Sequence, residues 1–108
     1  MTSLKHKIAI VTGASRGLGA TIATSLASHG AHVIVNYVTK KEQADEVVNT
    51  IRASGGNAVA IQADMSKPAD VARLFDQTME KYGQLDIVIN NAGIMVTKLI
   101  KDTTEEDI

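Results

Sequence analysis

The sequence predicts an α/β fold in which a doubly wound parallel sheet carries helices on both faces. Short apolar runs rich in β-branched residues alternate with helical patterns, and these runs are continuous rather than interrupted by polar residues. Continuous apolar runs are typical of strands that are covered on both faces, as parallel strands are. Glycine follows each helical pattern, where it is expected to end a helix. The order β-α-β-α-β-α-β, with right-handed crossovers, predicts the strand order 3-2-1-4.

Four strands are expected where the apolar runs lie. Each run is short, and the spacing between runs leaves room for one helix, as a β-α-β unit requires. The predicted strands are residues 8–11, 33–35, 58–61 and 87–89.

The first two helices are expected to pack on one face of the sheet, because successive right-handed crossovers place them there. The first helix covers residues 17–29 and stops at Gly30, and the second stops at Gly55-Gly56. Their predicted apolar residues are Leu18, Ile22 and Leu26 in the first helix and Ala44, Val47, Val48 and Ile51 in the second.

The third helix is expected on the opposite face of the sheet. Ser66 is its candidate N-cap, Pro68 lies in its first turn, and Gly83 ends it. Its predicted apolar residues are Val71, Leu74, Phe75 and Met79.

The last residues predict the start of another helix. Thr103-Thr104-Glu105-Glu106 matches a capping box, yet the sequence stops at Ile108, little more than one turn later. A single helical turn is unstable alone, and a sheet with one face covered by one full helix leaves apolar surface open. We therefore expect residues 1–108 to be the N-terminal part of a single longer domain. A frayed tail that matches a helix start by chance is the alternative.

The composition argues against several classes of function. A formal net charge of −1 provides no basic excess for nucleic acid, and the absence of cysteine excludes disulfides, thiolate metal sites and a cysteine nucleophile. No apolar run is long enough to span a membrane, and no secretory signal precedes the first strand. His6, His29 and His32 are not spaced as metal ligands. We expect a cytoplasmic protein with no nucleic-acid partner, no membrane partner and no metal.

A glycine-rich turn joins the first predicted strand to the first predicted helix. Residues 12–19 read TGASRGLG, with glycine at Gly13, Gly17 and Gly19. The N–H groups and the dipole at the start of a helix attract an anion. Glycines permit the sharp turn, the approach of a diphosphate and close packing of helix on strand. This segment therefore predicts a dinucleotide-binding site.

The pattern TGxxxGxG, with Asp64 after the third strand and Asn90-Asn91-Ala92-Gly93 after the fourth, resembles the short-chain dehydrogenase/reductase family. The resemblance spans residues 7 to about 107, and the ketoreductase branch, including 3-oxoacyl-carrier-protein reductases, looks similar. It implies a Rossmann-type sheet in an oxidoreductase that transfers a hydride between a nicotinamide cofactor and a carbonyl or secondary alcohol. It also implies a small-molecule carbonyl substrate and a homo-oligomeric parent enzyme.

The resemblance implies two segments that hold the adenosine diphosphate part of the cofactor. Asp64 would accept a hydrogen bond from the adenine amino group, and the Met65 backbone N–H would face an adenine ring nitrogen. A turn aspartate is the alternative interpretation of Asp64. The residues implied around the diphosphate and the adjoining ribose are Gly13, Ser15, Gly17, Leu18 and Gly19.

The segment after the fourth strand is implied to continue the site. Asn91, Ala92 and Gly93 would line the adenosine ribose and lead towards the nicotinamide. Asn90 belongs to the same motif and would either join them or tie the central strands together. An ordinary turn is the alternative, because asparagine and glycine are common in turns.

The end of the second strand favours NADP(H) over NAD(H). NAD-binding proteins usually place a carboxylate there for the ribose 2′-hydroxyl, whereas this chain has Asn36 followed by Tyr37. Arg16, in the glycine turn, is a candidate donor to a 2′-phosphate, and Lys40 and Lys41 follow nearby. A solvated loop cation is the alternative interpretation of Arg16.

No catalytic residue is assigned. Tyr37 and Lys41 match YxxxK, the family's catalytic pair, in which the lysine lowers the tyrosine pKa for proton transfer. In the family that motif lies after NNAG, on a helix that follows the fifth strand, so we interpret this match as coincidence. The chain alone is expected to have no turnover.

Two other functions remain open at this point. A non-catalytic module that senses NAD(P) would need the glycine turn but no catalytic residue. An S-adenosylmethionine-dependent methyltransferase also uses a glycine-rich first turn, although that class usually has an acidic residue where Asn36 stands.

Overall fold

The computed structural model describes residues 3–91, and it confirms the parallel sheet with strand order 3-2-1-4. Within this part of the chain, all neighbouring strands run parallel and a helix connects each strand to the next. The elements are β1 (Ile8–Thr12), α1 (Gly17–Ser28), β2 (His32–Tyr37), α2 (Lys41–Ala53), β3 (Asn57–Gln62), α3 (Pro68–Tyr82) and β4 (Ile87–Asn90).

β1 lies at the centre of this arrangement, between β2 and β4. Ala9 pairs with Val33 on one side and with Ile87 on the other. β3 pairs with the far side of β2, where Val33 is also opposite Ala58. Because parallel strands end at the same edge of a sheet, the segments that follow the four strands converge there.

The two faces of the sheet carry separate apolar clusters, and the helices cover them as predicted. α1 and α2 pack on one face, where alternate residues of β1 and β2 meet them, and α3 packs on the other. The first cluster includes Ala9, Val11, Val33, Val35, Ala23, Ala27, Ala44, Val48 and Ile51. The second includes Ile8, Ile10, Ile34 and Leu74.

The buried face of α1 differs from the prediction. Leu18 is 67% exposed, so the prediction that it packs on the sheet is wrong. Gly19, Ala23 and Ala27 are the buried residues of this helix, and Ile22 is half-buried. α1 therefore contacts the sheet through its smallest residues, which let the helix approach β1 closely.

The N-cap of α3 and the exposure of one of its apolar residues differ from the prediction. Ser66 is not the N-cap: Lys67 occupies that position, and both the Ser66 N–H and its hydroxyl donate to Asp64 Oδ1. Met79 is 48% exposed, whereas Thr78 is buried. The Thr78 hydroxyl donates to the Leu74 carbonyl at 2.8 Å, and this bond allows a polar residue on the buried face.

Asp86, just before β4, forms a hydrogen bond to the first residue of β1. Its Oδ2 accepts hydrogen bonds from the Ile8 N–H and from Gln84 Nε2, both at 2.8 Å. The pKa of Asp86 lies below its ordinary value. The largest cause is the hydrogen bond from the Ile8 N–H, and the second is the bond from Gln84. A carboxyl whose pKa is lowered by folding stabilises the protein above its unfolded-state pKa, and this contribution is lost as pH falls through the folded-state pKa.

We expect Asp86→Asn to lower the free energy of unfolding at about pH 7 by about 1 kcal/mol or less, because the carboxylate is exposed. At about pH 2 the difference from the wild type should shrink, because the pH then approaches the lowered pKa of Asp86 and the wild-type carboxylate gains protons. Urea unfolding at both pH values measures this, with Asp76→Asn on the exposed side of α3 as the control. A loss of equal size at both pH values would contradict the account.

Candidate functional site

The turn after β1 depends on glycine at two positions. Gly13 and Gly17 have φ angles of 60° and 61°, in the left-handed region that other residues rarely adopt. The Ala14 N–H donates to the Asn36 carbonyl at 3.0 Å, which holds the turn against the end of β2. The turn therefore brings the start of α1 to the edge at which the strands end.

The N-terminus of α1 is open. Arg16 is its N-cap residue and makes no side-chain capping bond, and no acidic residue lies in the first turn. The first N–H groups of a helix have no partner inside the helix, and the helix dipole makes this end electropositive. The start of α1 can therefore accept an anion without displacing a carboxylate.

Gly19 is required by packing rather than by its backbone angles. A Cβ atom at Gly19 would lie 2.3 Å from the Gly13 carbonyl oxygen and 2.7 Å from Asn91 Nδ2. At Gly17, a Cβ would meet nothing within 4 Å. Gly19 therefore lets α1 contact the turn, while open space above Gly17 leaves the backbone accessible to a ligand.

Thr12 and Asn91 connect the end of β4 to the glycine turn. Thr12 Oγ1 donates to Asn90 Oδ1 at 2.9 Å and accepts from the Asn91 N–H at 3.0 Å. Asn91 Nδ2 donates to the Gly13 carbonyl at 3.1 Å. Asn90 thus links β1 with β4, and Asn91 supports the turn. Ala92 and Gly93, which sequence analysis places in the site, lie outside the described residues.

The Asn36 side chain, at the end of β2 where sequence analysis places the cofactor site, bonds to other parts of the protein. Asn36 is 1% exposed, and its Oδ1 accepts the Gly13 N–H at 3.4 Å. Its Nδ2 donates to the carbonyls of Ile61 and Ala63. Tyr37 is buried as well, in the cluster between the sheet and the first two helices. The Asn36 amide is therefore directed into the protein, where it acts on the glycine turn.

Asp64 lies in a turn directly after β3. The pKa of Asp64 lies below its ordinary value because Oδ1 accepts two hydrogen bonds from Ser66. The bond from the Ser66 hydroxyl has the larger effect, and the bond from the Ser66 N–H has the smaller one. The carboxylate is therefore charged at neutral pH. Within residues 3–91, no hydrogen bond engages its second oxygen, and Met65 beside it is half-buried. The hydrogen bonds of the turn account for one oxygen of the Asp64 carboxylate. The contact between Asp64 and adenine stays a prediction.

The cations near the site differ in their surroundings. Arg16 is exposed and lines a cleft of about 410 Å³ between α1 and α2, together with Ser15 and Gln43. Lys41 Nζ pairs with Asp45 at 2.9 Å, which raises the pKa of the lysine. No Tyr37–Lys41 hydrogen bond occurs in the described part of the chain. This agrees with interpreting the YxxxK match as coincidence.

Sequence analysis missed Gln43, since a glutamine in the first turns of a helix is unremarkable. Its Oε1 is buried without a hydrogen-bond partner among residues 3–91. Gln43 lines the cleft beside Arg16 and a second cleft of about 530 Å³ that also contains Thr39 and Lys40. Lys40 makes no ion pair within the described residues. Basic side chains thus line both clefts together with polar and acidic ones, the acidic residues being Glu46 in the first cleft and Glu42 in the second.

Other kinds of site receive no support in this part of the chain. Among residues 3–91, the structure places no three His, Cys, Asp or Glu side chains where they could hold a metal ion. None of the helices described there has the length and apolar character needed to cross a membrane.

Comparisons with known proteins agree with this geometry. The sequence model of the family described as short chain dehydrogenase matches residues 7–108. Elsinochrome reductase 1 of Elsinoe fawcettii is 47% identical over 104 residues, covering 96% of this chain and 39% of that protein. Versicolorin reductase stcU of Emericella nidulans is also 47% identical over 104 residues, with the same coverage of 96% and 39%.

A solved structure is similar in both sequence and fold. A short chain dehydrogenase from Burkholderia cenocepacia, in complex with NADP, is 48% identical and superposes with a TM-score of 0.79. The match covers 86% of this chain and 38% of that one. The chain thus spans about two fifths of the length of the curated relatives it matches.

Proposed function

The chain belongs to the short-chain dehydrogenase family, and on this premise we propose that it is the NADP(H)-binding part of an oxidoreductase. The observation that carries the proposal is the uncapped start of α1, which opens onto accessible backbone at Gly17. The NADP in the Burkholderia cenocepacia relative and the names of the two reductases support the choice of cofactor and reaction.

In this proposal, backbone N–H groups at Gly17 and Leu18 bind the diphosphate, since they lie at the electropositive end of α1. Arg16 and Lys40 neutralise the 2′-phosphate, because no carboxylate at the end of β2 repels it. Asp64 orients the adenine.

The remaining contacts in the proposal are those that the family resemblance implies. Met65 contributes its backbone N–H to the adenine, and Ser15 lies beside the diphosphate. Asn91 borders the ribose, and the same role is proposed for Ala92 and Gly93, which lie outside the described residues.

NADPH, when bound, supplies the hydride for a carbonyl carbon, or its oxidised form accepts one from a secondary alcohol. We propose that this chain positions the cofactor, and that the proton donor and the pocket for a small carbonyl substrate come from residues outside it. Turnover by the 108-residue chain alone is therefore not expected.

Calorimetric titration with NADPH and NADH tests the proposal. The wild type should bind NADPH more tightly than NADH. Arg16→Ala should weaken NADPH binding about tenfold or more, because a charge-assisted bond to the 2′-phosphate is lost. NADH binding should change less than about twofold.

Arg52→Ala removes the same charge at the far end of α2 and serves as the control. If Arg16→Ala weakened both cofactors equally, Arg16 would have no role in recognising the 2′-phosphate. If the wild type bound S-adenosylmethionine and not NADPH, the proposed function would be wrong.

A further inference from the structure

Asn36, the penultimate residue of β2, is the point at which two separate segments of the site meet. Its backbone carbonyl accepts the Ala14 N–H at 3.0 Å, and its Oδ1 accepts the Gly13 N–H at 3.4 Å. Its Nδ2 donates to the carbonyls of Ile61 at 3.3 Å and Ala63 at 3.2 Å. One residue therefore joins the glycine turn after β1 to the segment at the end of β3.

The carboxamide of Asn36 matches the groups around it. One acceptor oxygen faces one N–H, and two N–H bonds face two carbonyl oxygens. An aspartate here would keep the acceptor but direct a carboxylate at both carbonyls. Because the residue is 1% exposed, water could not readily replace the lost donors.

Further hydrogen bonds fix the position of the segment after β3. The Ala63 N–H donates to the Tyr37 carbonyl at 3.0 Å, so consecutive residues of β2 hold both sides of Ala63. The next N–H along the chain, that of Asp64, donates to Asp70 Oδ2 at 2.9 Å. A displacement at Asn36 would therefore move the glycine turn and Asp64 relative to one another.

We propose that Asn36 is a positioning residue that sets the distance between the glycine turn and the segment of Asp64 and Met65. It thereby favours ligands that bind both at once. This inference rests on the proposed function, in which the diphosphate binds at the turn and the adenine at Asp64. A ligand that touches one segment depends little on their separation, whereas a dinucleotide needs both in place.

The test compares Asn36→Leu with Asn57→Leu, which makes the same uncharged change at an exposed residue at the other end of the sheet. NADPH, adenosine and inorganic pyrophosphate are titrated by calorimetry at a temperature where circular dichroism shows every variant folded. For Asn36→Leu, the Kd of NADPH should rise at least about tenfold, and those of the two smaller probes less than about threefold. Asn57→Leu should change no Kd by more than about twofold.

The outcomes separate the two proposals. Losses of the same factor for all three probes would indicate general loosening and overturn the positioning role, and so would an unchanged Kd for NADPH. If the wild type did not bind NADPH, the proposed function would fail, and this inference with it. If the wild type binds NADPH and Asn36→Leu binds it equally well, the positioning inference alone fails.

A second measurement needs no variant and applies even if Asn36→Leu does not fold. Pyrophosphate added to the wild type should contact the glycine turn alone. In an NMR titration it should nevertheless shift the Asn36 side-chain NH₂ signals and the Ala63 backbone amide. A response confined to residues 13–19 would overturn the inference.

Discussion

Gly19→Ala is expected to weaken NADPH binding at least about a hundredfold, because losing two hydrogen bonds to a charged diphosphate, at about 1.5 kcal/mol each, corresponds to a factor of that size. The added Cβ would lie 2.3 Å from the Gly13 carbonyl oxygen and 2.7 Å from Asn91 Nδ2. These two atoms are hydrogen-bonded to each other at 3.1 Å, so neither can move independently. The whole turn must shift, and with it the N–H groups proposed to hold the diphosphate. Overpacking of this kind should also lower the free energy of unfolding by about 1–3 kcal/mol.

Gly55→Ala is the matched control for this substitution. Gly55 has a φ of 90°, and a Cβ there meets nothing within 4 Å. The control should therefore lose roughly 1 kcal/mol of stability through backbone strain and keep its affinity for NADPH. Calorimetry and urea unfolding measure both quantities. If Gly19→Ala kept an affinity within about threefold of the wild type, the described turn would not be the ligand's site.

Leu74→Ala is expected to lower the free energy of unfolding by about 2–5 kcal/mol. Leu74 is fully buried and packs in the cluster that contains Ile10 and Ile34, where truncation leaves a cavity beneath α3. A loss of that size is a large part of the 5–15 kcal/mol typical of a domain. Urea unfolding measures it, and Leu74→Val provides a milder variant if alanine prevents folding.

Met79→Ala on the same helix distinguishes the observed packing from the predicted one. Sequence periodicity places both residues on the apolar face, but Met79 is 48% exposed in the structure. Its truncation should change the free energy of unfolding by less than about 1 kcal/mol. Losses of similar size at both positions would show that α3 is rotated relative to the described packing.

The order and direction of the strands could be predicted because they follow from simple patterns. Continuous apolar runs indicate strands covered on both faces, and right-handed crossovers leave few possible orders. The glycine turn could also be located, since the spacing of Gly13, Gly17 and Gly19 between a strand and a helix has few structural solutions.

Details of packing could not be predicted, for physical reasons. Periodicity indicates which residues share a helix face, but not how closely the helix approaches its neighbour. Large side chains at Leu18 and Met79 therefore suggested contacts that the structure assigns to small or polar residues. Ser66 is a typical N-cap residue by type but does not cap α3, because its hydroxyl and N–H bond to Asp64 in a separate turn.

The direction of the Asn36 side chain could not be predicted either. In an apolar run without alternation, the sequence does not indicate which face each residue occupies. In β2, Ile34 belongs to the cluster beneath α3, whereas Val35 and Tyr37 belong to the other face. This alternation places Asn36 on the same face as Ile34, and in the proposed function the exposed cations Arg16 and Lys40 bind the 2′-phosphate.

The central claim is that a dinucleotide diphosphate binds at the start of α1, and an NMR titration with NADPH tests it most directly. The largest saturable shifts should occur at the backbone amides of Gly13, Gly17 and Leu18. Saturable shifts at the opposite ends of α1 and α2 instead, in the cleft lined by Gly30 and Gly55, would contradict the claim. The absence of any saturable shift would contradict it as well.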